Sequence, residues 1–340
     1  MGTFVFGFLL FAFASYSSAE PELVKAPDAA SGVQEFRLQG YQVKSLLADL
    51  PIVDLHLASN QRVWLLGKRS LWRWDIPTGD LAQIHLFSAA DSLVDETLET
   101  LGSDGVSLFA ASEHSLFQIQ GQGTKVTYFA NPQRQPGRSL SFAGWGDNTW
   151  LLHTGGLYYV DPFGKKLVAR FQRTGLEAGD RTFFDSQSKQ LYIGRKNKIY
   201  RREFSQHGEL FKTVFETDDK ILDLQATIKG FVAITCQKVI FFGLDGLPRQ
   251  TVPVVAGRLL TAVAISGEIH AYLFADTLLE VIDMQSHRIS NYRLPLSRGM
   301  IVDKLTLQGD LVALTISGKP KVFSLMSLQN DIPYAPKDFP

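Results

Sequence analysis

The ten residues LWRWDIPTGD, Leu71 to Asp80, set two tryptophans on one face of an alternating run, close it on an acid and turn at once through Pro77 and Gly79. Such a run reads as one β-strand and the turn that leaves it. Related runs recur along the chain: LFQIQ from Leu116, LYYVD from Leu157, IYRRE from Ile199, VIFFG from Val239, LEVID from Leu279 and PKVFS from Pro320. Their successive spacings are 45, 41, 42, 40, 40 and 41 residues. Seven copies at that period mark a repeat architecture, in which each unit buries its faces against its neighbours.

Each copy follows a second apolar run and a tight turn, as in VWLLGKRS, TWLLHTGG and LVALTISGK, and the first six precede a weaker alternating run such as GKKLVARF. A further strand-like piece lies ahead of each pair, clearest in PIVDLHL, KILDLQAT, LLTAVAI and DKLTL. Four short strands per unit of about 41 residues predict an all-β, seven-bladed β-propeller. The middle strands of a blade are covered on both faces and should be continuously apolar, like VAITC and VIFF, while the outer strand alternates, like KLVARF. The seventh copy lacks its outer strand, because the chain ends in IPYAPKDFP, whose three prolines cannot sustain a ladder. The run QEFRLQ, Gln34 to Gln39, alternates Phe36 and Leu38 against Glu35, Arg37 and Gln39. It is expected to complete the last blade, burying Phe36 and Leu38 and closing the ring.

Lys plus Arg and Asp plus Glu each number 34, so the formal net charge is zero, and no long basic block offers itself to a phosphate backbone. Nucleic acid is excluded as an expected partner. The first nineteen residues carry an apolar run from Phe4 to Ala14, then Ser17 and Ala19 at the positions small residues take before a signal-peptidase cut. A signal peptide over 1–19 is therefore expected, although its start carries no Lys or Arg; a retained anchor is the alternative, with a core short for a span of about twenty residues. A flexible linker over 20–33, the propeller over 34–331 and a tail over 332–340 complete the expected organisation. The single cysteine, Cys236, cannot form an intrachain disulfide and is expected in a strand core, and no Asn-x-Ser/Thr sequon occurs. These features point to a bacterial domain, periplasmic or secreted after cleavage, and monomeric.

The strand, acid and turn of LWRWDIPTGD, LYYVDPFGKK and LEVIDMQSHR resemble the bacterial seven-bladed propellers of the YVTN, quinoprotein-like and WD-repeat-like group, over Gln34 to about Asp331. The resemblance is one of fold, and implies a binding or scaffolding module. PTGDLAQIHLF resembles the threonine-glycine turn of quinone-binding repeats, but their following tryptophan is missing from every copy, so no cofactor is expected.

Asp54 in IVDLHL, Asp223 in ILDLQA and Asp303 in IVDKLT each stand near the start of an innermost strand, and His56 shares a strand face with Asp54. One reading is a ring of carboxylates at a channel mouth, able to hold a cation or a basic group of a peptide. The other is that these acids cap turns or accept backbone amides between blades. No histidines have metal-ligand spacing and no Gly-x-Ser-x-Gly occurs, so neither a metal site nor a catalytic residue is assigned. The tryptophans Trp64, Trp72, Trp74, Trp145 and Trp150 are expected between blades, with an aromatic rim formed by Trp72, Trp74 and Trp145 as the alternative. The sequence thus points to a non-catalytic protein-binding or scaffolding propeller of the bacterial envelope, whose partner would be an envelope protein or peptide. The alternative is a propeller enzyme, lyase or hydrolase, or a small-ligand or cation binder, using the acidic channel end.

Overall fold

The computed structural model describes residues 33–36, 51–58, 61–86, 96–103, 107–130, 139–145, 148–172, 180–185, 190–205, 208–227, 230–253, 259–266, 268–283, 285 and 288–325. The expected signal peptide and C-terminal tail lie outside these residues. Within them, four-stranded antiparallel meanders follow one another around a ring as seven blades. Blade 1 runs through Asp54–Ala58, Arg62–Leu66, Leu71–Asp75 and Leu81–Ile84, so LWRWD is its third strand and PTGD the turn to its outer strand. The inner strands of blades 2 to 7 are Leu98–Ser103, Ser139–Trp145, Arg181–Asp185, Ile221–Thr227, Leu260–Ser266 and Val302–Gln308. Each inner strand packs against the next around the ring, and the seventh packs against the first. The outer strands of blades 2 and 3 are further joined by one parallel bridge, Lys166 to Ala130. Among the described residues no helix is long and apolar enough to cross a membrane.

The core is interfacial, as the doubly covered middle strands require. Separate apolar clusters fill the seams between successive blades, for example Phe109, Phe142 and Tyr158 between blades 2 and 3, and Tyr192, Phe231 and Phe242 between blades 4 and 5. At Gly102 a Cβ would stand 2.3 Å from Phe142, so the inner strand of blade 2 needs glycine for the ring of blade 3 to seat. The largest cluster spans blades 6, 7 and 1 without a break and holds Trp72 and Trp74. Trp64 lies in the seam between blades 1 and 2, and Trp150 meets Phe184 across the seam between blades 3 and 4, with centroids 5.3 Å apart.

Blade 7 is built from both ends of the chain. Val33–Phe36 pairs antiparallel with Lys319–Leu325, matching Val33 to Leu325 and Phe36 to Val322. The closing strand is the one expected from QEFRLQ, but the face it buries differs. Val33 and Glu35 are turned inward, each 3% exposed, and Phe36 is only partly buried. Glu35 is accommodated because Lys321, also buried, reaches it at 3.1 Å. Phe36 meets Trp74 of blade 1 edge-on at 6.5 Å. Leu38 lies outside the described residues. Cys236 also departs from expectation: the second strand of blade 5 stops at Thr235, so the thiol sits in the turn and is partly exposed.

A buried ion pair stripped of one partner leaves an uncompensated charge, which costs about 3 to 5 kcal/mol, whereas replacing both partners by apolar groups is close to neutral. Urea unfolding should therefore show Glu35→Leu or Lys321→Met alone losing about 3 kcal/mol or more, with the double variant recovering most of the loss. Additive losses would contradict the pairing. A chain beginning at Tyr41 should melt well below the chain beginning at Glu20, and equal melting temperatures would contradict closure by Val33–Phe36.

Candidate functional site

The inner strands do not all start in the same register. In blades 2, 3, 5, 6 and 7 the pairing with the second strand shifts between Leu98 and Thr100, Ser139 and Ser141, Ile221 and Asp223, Leu260 and Ala262, and Val302 and Lys304. One extra residue stands unpaired at each shift, as in a β-bulge. Asp303 is such a residue. It is exposed and accepts the Gly318 amide at 2.9 Å within its own blade. Beyond the bulge, equivalent pairing sets Asp54 opposite Leu66, Thr100 opposite Ala111, Arg181 opposite Gly194, Asp223 opposite Ile234, Ala262 opposite Leu273 and Lys304 opposite Thr315. The layer at this end of the ring therefore contains two acids and two bases, with Lys304 and not Asp303 as the contribution of blade 7.

Buried Asp54 links three blades directly, and around buried Asp223 neighbouring residues make the links. Asp54, 1% exposed, takes the Lys304 ammonium of blade 7 at 2.5 Å, the Leu101 amide of blade 2 at 2.8 Å and the Thr100 hydroxyl at 3.1 Å. Its own neighbour Leu55 donates a further amide at 2.7 Å. Around Asp223 in blade 5 the cross-seam bonds are made by its neighbours Gln225 and Leu222. Gln225 donates its amide to Asp223 at 3.0 Å and to the Val263 carbonyl of blade 6 at 3.0 Å, while Arg181 of blade 4 donates Nε to the Leu222 carbonyl at 2.6 Å. In both places a base comes from the preceding blade and a hydrogen bond leads to the following one.

Burial pushes the Asp223 carboxyl up to about 6, against the Gln225 hydrogen bond, the Arg181 charge and the Leu224 amide. It pushes partly buried His56, one step along the same face from Asp54, down to about 4, against the attraction of the Asp54 carboxylate. His56 is thus neutral at pH 7. His270 is likewise lowered to about 4 by burial, its Nδ1 lying 3.2 Å from the Tyr272 hydroxyl, and buried His153 accepts the Gly155 amide at 2.9 Å. Among the described residues no group of three or more His, Cys, Asp or Glu is placed to hold a metal ion.

Trp72 and Trp74, 5% and 2% exposed, form no rim: they face the seam with the closing blade, and Trp72 Nε1 donates to Ser70 at 2.9 Å. Trp145 ends the inner strand of blade 3, and its side chain lies outside the described set. Lys304, Arg181 and Thr100 were not read from sequence as site residues. The signal for Lys304 is the first buried leucine of the inner strand in blades 1, 5 and 7. Aligning Leu55, Leu224 and Leu305, instead of the leading acids, places Lys304 in step with Asp54 and Asp223.

No family model matches the chain, and no curated protein sequence matches it. Solved structures do. A catalytically inactive virginiamycin B lyase variant from Staphylococcus aureus with quinupristin superposes at a TM-score of 0.59 and 11% identity, covering 86% of this chain and 99% of that one. YCF48 bound to D1 peptide gives 0.61 and 12%, covering 91% and 100%. Raptor from Chaetomium thermophilum gives 0.61 and 10%, covering 88% of this chain and 32% of that longer one. These likenesses establish the seven-bladed propeller fold, which serves enzymes and binding proteins alike.

The layer gives two tests. Lys304→Ala leaves Asp54 buried without its cation and should cost about 3 kcal/mol, while Asp303→Ala removes one exposed contact and should cost under about 1 kcal/mol; the reverse order in denaturant unfolding would contradict the register. In the pH dependence, His56 has a lowered folded pKa, so the unfolded chain binds more protons between pH 4 and 6.5 and stability rises with pH there. Asp223 has a raised folded pKa, so its effect falls with pH between about 4 and 6. Asp223→Asn should therefore steepen the rise of stability across this window and His56→Gln should flatten it, each by at most about 1.4 kcal/mol per pH unit. Slopes unchanged in both variants would contradict the burial of these groups.

Proposed function

We propose that this chain is a non-catalytic, protein-binding propeller that acts as a scaffolding component of the bacterial cell envelope after export to the periplasm. The observation that carries the reading is the engagement of the channel-end acids. Asp54 has both oxygens committed to Lys304, Thr100 and backbone amides, and Asp303 holds the Gly318 amide. Carboxylates engaged in this way are poorly placed to move a proton on a substrate, and that of Asp54 also holds three blades together. The proteins of like fold include YCF48, solved with a bound peptide, and the signal-like first nineteen residues support export.

A second reading has one observation in its favour. Asp223, held near pKa 6, and neutral His56 sit at the same end of the ring, where an acid and a base could serve a lyase, a hydrolase or a small-ligand site. Affinity purification of the tagged chain from its native envelope, followed by mass spectrometry, separates the two. Recovery of a stoichiometric envelope protein supports the scaffold. A clean monomer that carries a small molecule, and loses it in His56→Gln or Asp223→Asn, would overturn it in favour of the second reading.

A further inference from the structure

Strand direction alternates within each blade, so every connection is assigned to one end of the ring. The second-to-third turns and the crossings from an outer strand to the next inner strand emerge at the end that carries Asp54, Asp223 and Lys304. The first-to-second and third-to-fourth turns emerge at the other. Backbone bonds weld the first end together: Ile52 donates to the Gly318 carbonyl, Leu98 to that of Lys68 and Ile221 to that of Lys196, each across a blade seam.

Among the described residues the two ends differ in exposed charge. Around the near end the described residues expose Arg181, Lys196 and Lys220 on blades 4 and 5, and Arg298, Lys319 and Lys68 on blades 6, 7 and 1, with Arg69 beside Lys68 and Arg293 at the close of blade 6. The exposed acids there are Glu216, Asp218 and Asp303, and of these Glu216 is paired with Lys198 while Asp303 holds the Gly318 amide. Half-buried Glu96, ahead of the inner strand of blade 2, is engaged by the Ser112 hydroxyl. Exposed bases thus outnumber exposed acids more than two to one. At the far end Lys125, Lys165, Lys166 and Arg249 are nearly matched by Asp80, Asp245 and Asp310, and Arg249 is ion-paired with Asp245 at 2.5 Å. This asymmetry is invisible in a net charge of zero.

Exposed apolar side chains occur at both ends, Phe163, Leu244 and Leu247 on third-to-fourth turns at the far end, and at the near end two aliphatic ones stand at equivalent places. Leu259 and Ile301, 60% and 77% exposed, each immediately precede the inner strand of their blade, and those blades are neighbours. Blades 2 and 5 have the exposed polar residues Thr97 and Lys220 at that place. Arg181, whose one side-chain hydrogen bond among the described residues uses Nε on Leu222, leaves the rest of its guanidinium to a carboxylate.

We infer that the end of the ring bearing Asp54, Lys304 and Arg181 docks an acidic, extended peptide segment of a partner protein, its carboxylates met by the bases of blades 4 and 5 and an apolar side chain seated on Leu259 and Ile301. The inference rests on the protein-binding reading and names the surface and the chemistry of the partner. An apolar anchor flanked by complementary charge is the usual build of such interfaces. A flat anionic membrane would meet the same charge, and competition by anionic vesicles is the outcome that would decide for it.

The test uses the full chain and a short fluorescein-labelled peptide alternating glutamate with leucine, followed by fluorescence anisotropy, with the lysine-for-glutamate peptide and phosphatidylglycerol vesicles as competitors. The acidic peptide should bind, more weakly as salt rises, and the basic one should not. Lys196→Glu/Lys220→Glu and Leu259→Asp/Ile301→Asp should each weaken binding about tenfold or more, a loss of about 1.4 kcal/mol, with unchanged melting temperatures. Lys165→Ala/Lys166→Ala at the far end should bind as the parent does. No binding, binding indifferent to the near-end variants, or competition by vesicles at the same surface would each overturn the inference. Applied to the envelope purification, a partner that survives on the near-end variants overturns this surface and leaves the scaffold reading standing. Recovery of no partner overturns that reading, while the peptide titration still decides the surface.

Discussion

Everything in this molecule depends on ring closure. A blade cannot bury its doubly apolar middle strands alone; each needs a neighbour on both sides, and an open ring would leave two such faces in water. The seam where the ring shuts joins Val33–Phe36 to Lys319–Leu325, and it is reinforced by buried Glu35 on Lys321 and by Phe36 on Trp74. The apolar cluster there runs unbroken through blades 6, 7 and 1, whereas the other seams hold separate clusters. Trp72 and Trp74 fill the seam between blade 1 and the closing blade, with Phe36 of the closing strand against Trp74.

The same constraint shapes the polar end of the ring. Seven inner strands converge there, and a buried carboxylate can remain only if hydrogen bonds or a cation compensate it. Asp54 meets that condition with groups from the blades on either side and so acts as a tie across two seams, whereas Asp223 is held by Gln225 and the Leu224 amide of its own blade, Gln225 carrying the bond to blade 6. Their chemistry is directed into the protein. Among the described residues, the exposed side chains at this end are mainly basic, with Leu259 and Ile301 beside them.

Period, strand order and the closing strand were all legible in the sequence, because a unit covered on both faces must repeat its apolar runs at a fixed interval. The face that the closing strand buries was not. Phe36 and Leu38 were the natural inward choice, and Glu35 lies inside only because Lys321, almost three hundred residues away, is buried beside it. The acids were legible as residues but not as a layer, since a one-residue bulge moves Asp303 out of step and brings Lys304 in. Bulges leave no mark in an acid-to-acid comparison; in blades 1, 5 and 7 the first buried leucine, Leu55, Leu224 or Leu305, records the true register.

Closure by the N-terminal strand is tested most directly by amide hydrogen exchange on the intact chain, read by mass spectrometry. The account predicts that Gln34–Phe36 and Val322–Leu325 exchange together, with protection comparable to the middle strand Leu311–Ile316 of the same blade. Rapid exchange of Gln34–Phe36 while the rest of blade 7 stays protected would contradict it.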